Sequence, residues 1–416
     1  MGVGYIIGPR IAALMLAGGA LAWLGLIPLI ATVGEKLPVP LYPSEIPIDS
    51  MSASDIWNRY IRYIGAGAVA VGGVVSLIRA LPTVFSSFKK SVKHFSFSAG
   101  EGLPRNQQDL PGVIVIGMAV LIAVLIWLIP TMEVSLLGAV LVVIFTFFFA
   151  SVASRVVGLV GGSSLPVSGM TIAALLGTAL IFNAVGFTGM EGKIAALIIG
   201  AIVCVGISAA GDVSQDLKTG FLVGATPKYQ QMGQFIGVLT SATVIGAVIV
   251  LLHSAFTIGS EALPAPQATL MKLVVEGVMD KNLPWDYVLT GMVIAGVIEL
   301  LRIPSLPFAV GLYLPISLSV PIIAGGILRG ITEKKWKGEE LKNARERGVL
   351  FGSGLVAGEA TVGVLIALLV YSAGKIAFLA NLPFPLAGDY AGSSVVSCIA
   401  FSTMCIIMWR VVSKKE

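Results

Sequence analysis

The sequence predicts an all-α, polytopic bundle of transmembrane helices, about ten to eleven spans with broken or re-entrant segments, in a single transmembrane domain over 1–416. Three observations carry this. Residues of the set AVILMFWYC make up 56% of the 416, while charged residues make up only 12%, against about 25% in a soluble domain. Mean hydropathy is +0.95. The apolar residues fall in long runs, and several runs are interrupted by clustered Pro and Gly. Too few charges remain to surface a soluble globule, and the apolar content is too high for disorder.

In lipid the backbone must satisfy its own hydrogen bonds, so each apolar run is expected to be a helix. The runs are 11–33, 60–82, 112–130, 134–153, 169–187, 194–210, 235–256, 286–301, 305–329, 348–371 and 393–412. The first is too long for a signal peptide, and no small-residue cleavage site follows it. Lys and Arg set the orientation. The stretch 83–110, with Lys89, Lys90, Lys93 and Arg105, reads as cytoplasmic. The acidic stretches 34–59 and 259–285 read as external. Eleven full crossings would then put the basic loop from Lys334 to Arg347, and the tail residues Arg410, Lys414 and Lys415, outside. One segment between 228 and 334 must therefore dip and return, or hide a crossing, which leaves both termini cytoplasmic in a multi-pass cell-membrane protein. The segment best suited is 303–331, broken by Pro304, Pro307, Gly311, Pro315, Pro321 and Gly325-Gly326.

A second broken stretch is Gly158–Met170, with Ser163, Ser164, Pro166, Ser168 and Gly169. Its LPVS (165–168) looks like LPIS (314–317), though a match of four residues is short. Exposed backbone and hydroxyls at Ser168 and Gly169, and at Tyr313 and Pro315, are candidates to hold cargo. An ordinary kink is the structural alternative for both.

The least lipid-like internal run is 211–232, GDVSQDLKTGFLVGATPKYQQM. Asp212 and Asp216 are four apart, so a helix would place both carboxylates on one face with Gln215 near them. Lys218 would neutralise either acid. A solvated cytoplasmic loop is the plain alternative. Glu359 sits inside the run 348–371, where burying a carboxylate costs about 2.5–3.5 kcal/mol. Such a group persists where it faces a cavity, pairs or holds a proton, so Glu359 is a candidate proton carrier. Glu299, three residues before Arg302, is a second coupling candidate, with a helical ion pair as its structural reading. Arg79 and Arg155 lie at expected cytoplasmic helix ends, where snorkelling accounts for them. The stretch 267–279 is amphipathic and is expected to lie in the interface.

Other chemistries find little support. Cys204, Cys398 and Cys405 lie in apolar runs, so neither disulfides nor a zinc site is expected. His94 and His253 have no ligand spacing, so no resident metal and no cofactor are expected. A net charge of +5 fits cytoplasmic loops rather than nucleic acid. No HExxH, GxSxG or P-loop pattern points to an enzyme.

The run GDVSQDLKTGFLVGATPKYQQ closely resembles the signature of the oligopeptide transporter (OPT) family. So, in order, do GYIIGPRIAALMLAGG (4–19), PVSGMT (166–171), LPAPQA (263–268), GLYLPISLSVPIIAGGILR (311–329) and GLVAGEATVGV (354–364). The resemblance implies a proton-coupled importer of short peptides. In the yellow-stripe-like branch it implies a carrier of metal–nicotianamine or metal–siderophore chelates. It further implies a cavity between the two broken segments and the 211–218 run. Members are usually longer, with helices ahead of the GYIIGPR segment, so the chain resembles the C-terminal two-thirds of a member. The partners implied are a small peptide or chelate, protons, the lipid bilayer, and a partner chain supplying the missing helices or a second copy. A non-transporting membrane subunit is the alternative function.

Overall fold

The computed structural model describes residues 1–36, 39–94, 104–160, 167–260, 263, 265–279, 284–373 and 394–414. Every regular element among them is helical. In order these are α1 (Gly2–Ile7), α2 (Pro9–Ala20), α3 (Ile27–Gly34), α4 (Ala53–Ile56), α5 (Arg62–His94), α6 (Gly112–Leu128), α7 (Leu136–Val160) and α8 (Val167–Ala184). There follow α9 (Gly189–Val223), α10 (Pro227–Phe256), α11 (Pro266–Met279), α12 (Trp285–Leu300), α13 (Ser305–Tyr313), α14 (Ile316–Lys335), α15 (Gly338–Ala373) and α16 (Ser394–Ser413). Among the described residues eight helices are long and apolar enough to cross a membrane. The apolar runs all fall on helices, because a chain in lipid has no other way to pair its amides.

Two units are distinguished. One comprises Met1–Gly65, Ile245–Pro266 and Val297–Glu416, and the other Ala66–Val244 and Gln267–Gly296.

In the first unit, α2 and α14 run antiparallel. Gly19 faces Ser319, Ala12 faces Gly326, and Pro9 faces Gly330. If α13 simply extended α14, Gly311 would lie level with about residue 27, at 1.5 Å per residue. Gly311 instead packs on Met15. The chain therefore doubles back at Leu314 and Pro315, whose ψ values of 147° and 144° are extended. The nine residues of α13 make a rod of about 14 Å, less than half the hydrocarbon core. The segment 303–331 is thus a helical hairpin with a short and a long arm.

The N-terminal segment is built the same way. Gly8 (φ 89°) and Pro9 end α1 and start α2, and α1 folds back so that Gly4 packs on Ile322. The two hairpins form an internal repeat. Aligning Gly4 with Gly311 brings LAGGAL (16–21) onto IAGGIL (323–328). The contacts then reciprocate. A Cβ on Gly4 would fall 1.8 Å from the Ile322 oxygen, and one on Gly311 1.9 Å from the equivalent Met15 oxygen. A Cβ on Gly18 or on Gly325 would fall 2.0 Å from the oxygens of the equivalent residues Phe308 and Met1. Each short arm packs on the other hairpin's long arm, at backbone distances that only small residues allow.

In the second unit, α7 and α9 run parallel, with Gly138 against Ile199, Thr146 against Gly206 and Ser154 against Ser214. Helix α8 returns alongside α9, its Leu175 seated on Gly200. Phe182, Ile199, Val203 and Ile207 are fully buried there. The run 211–218 is helical rather than the alternative loop: α9 continues through it to Val223, because nothing before Gly224 (φ 77°) breaks the helix. Helix α11 places Val275 and Met279 in this core.

Candidate functional site

The break in the N-terminal hairpin is satisfied from within the protein. In a continuous helix the carbonyl of Tyr5 would accept from residue 9, but Pro9 has no N–H. Arg329 on α14, 7% exposed, supplies the donor. Its Nη1 donates to the Tyr5 oxygen at 3.0 Å and to the Ile6 oxygen, and its Nε donates to Glu333 Oε1 at 2.9 Å. The guanidinium thereby meets both the open C-terminal end of α1 and a carboxylate.

The break at Leu314–Pro315 has no such plug. Pro315 cannot donate to the Gly311 carbonyl, and no described residue does so. Tyr313 is 2% exposed, with Gly65 against its backbone, and Pro315 is half-buried. At the other end of α13, Glu299 Oε1 accepts from Ser305 N at 3.0 Å and from Ser305 Oγ at 2.8 Å, capping the helix. The helical pairing expected of Glu299 and Arg302 does not arise along α12. That helix ends at Leu300, and Arg302 sits in a left-handed turn (φ 59°) whose N–H donates to the Glu299 carbonyl at 2.9 Å. Glu359 lies in the C-terminal half of α15 with its side chain exposed.

In the second unit the polar run forms the turn-side end of the α9–α10 pair. Asp212, Gln215, Asp216 and Lys218 are all exposed on α9. Asp216 is engaged: its Oδ2 accepts from Gln234 Nε2, and its backbone oxygen accepts from Gln230 Nε2 at 2.8 Å. The Lys218 ammonium stands 5.2 Å from the Phe221 ring centre. Gln231 ties the preceding loop down, donating to Asp109 Oδ1 at 3.1 Å and accepting from Leu110 N at 3.0 Å. Gly169 is buried in the first turn of α8, where Ser168 also lies. Residues 161–166 of the expected broken stretch, including Leu165 and Pro166 of LPVS, lie outside the described residues.

Sequence reasoning passed over two residues and read a third differently. Arg329 was hidden at the end of an apolar run, and the only signal was a lone cation one turn after Gly325-Gly326. Ser319 is 0% exposed, and its Oγ has no hydrogen-bond partner. Arg155 departs from the snorkelling expectation: its Nη1 is enclosed and unpartnered, level with Ser154, whose hydroxyl bonds Ser214. Among the described residues no three His, Cys, Asp or Glu side chains gather as a metal site.

Residues 1–370 match the family described as OPT oligopeptide transporter protein. The chain belongs to the OPT family. A Haemophilus influenzae protein named as a candidate oligopeptide transporter is 29% identical over 89% of this chain and 65% of its own length. An Arabidopsis thaliana protein named as a candidate metal-nicotianamine transporter, YSL8, is 26% identical over 78% of this chain and 48% of its own. A Saccharomyces cerevisiae protein named as a candidate oligopeptide transporter is 31% identical over 38% of this chain. The chain thus spans less than two thirds of the length of these relatives. The OPT family is one of transporters, not enzymes, and its membership together with the apolar helices makes this a multi-pass membrane protein.

Proposed function

We propose that this OPT chain is the transport core of an importer of short oligopeptides or peptide-like metal chelates, driven by protons. The observation that carries the reading is the pair of interlocked hairpins in the first unit, within a chain of a transporter family. Non-helical backbone at membrane depth is tolerated where it lines a wet path or is otherwise satisfied, and transporters place cargo and ions at such breaks. The names of the relatives supply the two cargo classes. Ser168, Gly169, Asp212, Gln215, Asp216, Lys218, Tyr313 and Pro315 are the residues assigned to cargo contact or gating. Glu359, with Glu299 second, is assigned to proton coupling.

The test is uptake of tri- to pentapeptides and of metal chelates into proteoliposomes, with and without an imposed pH gradient. Uptake that falls when the gradient is collapsed supports the reading, and uptake indifferent to it removes proton coupling. Uptake that appears only after a second chain is reconstituted alongside selects the partner-subunit alternative.

A further inference from the structure

Three candidate spans of the first unit meet at their ends. Helices α14 and α16 finish, and α15 begins, around a small core of Trp336, Ala344, Met408 and Val412, all buried. Arg347 Nη2 on α15 donates to the Val412 carbonyl at 3.3 Å, which ties α15 to the last turn of α16. The Trp336 and Trp409 rings lie 5.6 Å apart between centres and tilt by 44°. Tryptophan, apolar in its body and polar at its N–H, settles at the head-group level of a bilayer. Two of them at the ends of adjacent apolar helices set this junction at that level.

The rim of this core is basic. Lys334, Lys335 and Lys337 stand at or just past the end of α14, Arg345 on the second turn of α15, and Arg410 and Lys414 at or just past the end of α16, all exposed. No described residue forms an ion pair with any of them. Glu333 is taken by Arg329. Glu339 and Glu340 lie in the first turn of α15, where they answer its positive end. That leaves Glu346 beside Arg345 and Arg347. The C-terminal ends of α14 and α16 each carry only about half a negative charge. Lys335 is held in place: its Nζ stands 4.8 Å from the Trp336 ring centre and 4.9 Å from that of Trp409. Aromatic faces fix an ammonium but carry no net charge to cancel it. The junction thus holds uncompensated positive charge at head-group depth. We infer that the junction of α14, α15 and α16 binds the phosphate groups of anionic phospholipids from the surrounding bilayer, as basic pockets between membrane helices do. The exposed ammonium and guanidinium groups take the phosphate. Exposed apolar side chains lie one to two turns deeper, Ile327 and Ile331 on α14 and Ile406 and Ile407 on α16, and receive the acyl chains. A free phosphate would use the charge and leave that apolar surface idle.

This site stands apart from the cargo and proton assignments above, and its test needs no transport. Purified full-length protein in mild detergent is melted with rising amounts of phosphatidylglycerol or of phosphatidylcholine. Saturating stabilisation by phosphatidylglycerol, unmatched by phosphatidylcholine and weakened by added salt, is expected. Each neutralised cation should weaken the apparent affinity about fivefold. The triple substitution Lys334→Gln, Lys335→Gln and Lys337→Gln should therefore weaken it about a hundredfold. Lys36→Gln, at an exposed lysine outside the cluster, should leave it unchanged. The three substituted residues are exposed, so the triple variant should melt in phosphatidylcholine within a few degrees of the parent, which shows that it folds. Equal stabilisation by the two lipids overturns the proposal. An undiminished preference in the triple variant overturns it too, as does an equal loss in Lys36→Gln, the mark of diffuse attraction. Inorganic phosphate reproducing the whole shift at the same concentration would show a small-anion site and overturn the assignment to lipid.

Discussion

Arg329 stands in for the N–H that Pro9 lacks, donating through Nη1 to the Tyr5 carbonyl at 3.0 Å. One cation thus holds together a discontinuous helix and the long arm of the opposite hairpin. Its removal would leave the Tyr5 and Ile6 carbonyls buried without donors, with Glu333 unpaired. Arg329→Met is expected to destabilise by about 1–3 kcal/mol, the cost of leaving the buried carbonyl of Tyr5 without a donor. Arg329→Lys should recover only part, because a single ammonium cannot reach both carbonyls and the carboxylate in the planar fork's geometry. Thermal unfolding in detergent measures both.

Because the hairpins repeat, paired substitutions should behave alike. Gly4→Ala and Gly311→Ala each drive a methyl group to within 2 Å of a backbone oxygen of the opposite long arm. Each is expected to cost about 1–3 kcal/mol or more through forced separation of the arms. Gly326→Ala should cost more than Gly19→Ala, since only the former meets a methyl at 2.6 Å. Equal costs for this last pair would contradict the asymmetry between the crossings.

The helices were legible because lipid forces every apolar run into one conformation, and the breaks were legible because Pro and Gly mark them. The repeat was not. The stretches LPVS and LPIS look alike because they share a proline. The true equivalence sets Pro315 against Gly8, so the most conspicuous letters do not align. The available signal was Ala-Gly-Gly at 17–19 and again at 324–326. Partners were harder still. Nothing near Asp216 in the chain announces that Gln234, 18 residues on, will take its carboxylate. Nor does local sequence connect Arg329 with Tyr5, 324 residues before it.

That Asp216–Gln234 bond makes a structural prediction about the family signature. Asp216→Ala and Gln234→Ala should each loosen the α9–α10 pair by about 1 kcal/mol, and the double substitution should cost little more than either alone. A double-mutant cycle on thermal stability reads the coupling. Additive costs would show that the bond contributes nothing.

Outside the spans, Ser52 and Asp55 form a reciprocal cap at the start of α4: Asp55 N donates to Ser52 Oγ at 3.2 Å, and Ser52 N donates to Asp55 Oδ2 at 3.0 Å. Hydrogen bonds from the Ser52 side chain, then its backbone, hold the Asp55 carboxyl below the usual aspartate range. A depressed folded-state value means the cap is present above the ordinary aspartate pKa and is lost as pH falls through the lowered one. Amide exchange at Asp55 should therefore be pH-independent near neutrality after correction for intrinsic rates. It should rise only below the ordinary aspartate range, and Ser52→Ala should move that rise upward.

In the function proposed above, proton coupling is assigned to Glu359. It is the one carboxylate in the apolar part of α15 beyond Glu346, and its exposed side chain lies within electrostatic reach of the Met1 amine. A carboxylate placed there is costly unless it can be neutralised reversibly or meets water. If protonation is its task, Glu359→Gln mimics the protonated state permanently. Gradient-driven accumulation should then disappear while exchange of cargo down its own gradient persists, because exchange needs the site but not the proton cycle. Glu359→Asp should keep coupling. Measuring uptake and counterflow on the same vesicles separates the outcomes. Loss of both would mark Glu359 as structural or cargo-binding, and retention of pH-driven accumulation in Glu359→Gln would remove it from the proton path altogether.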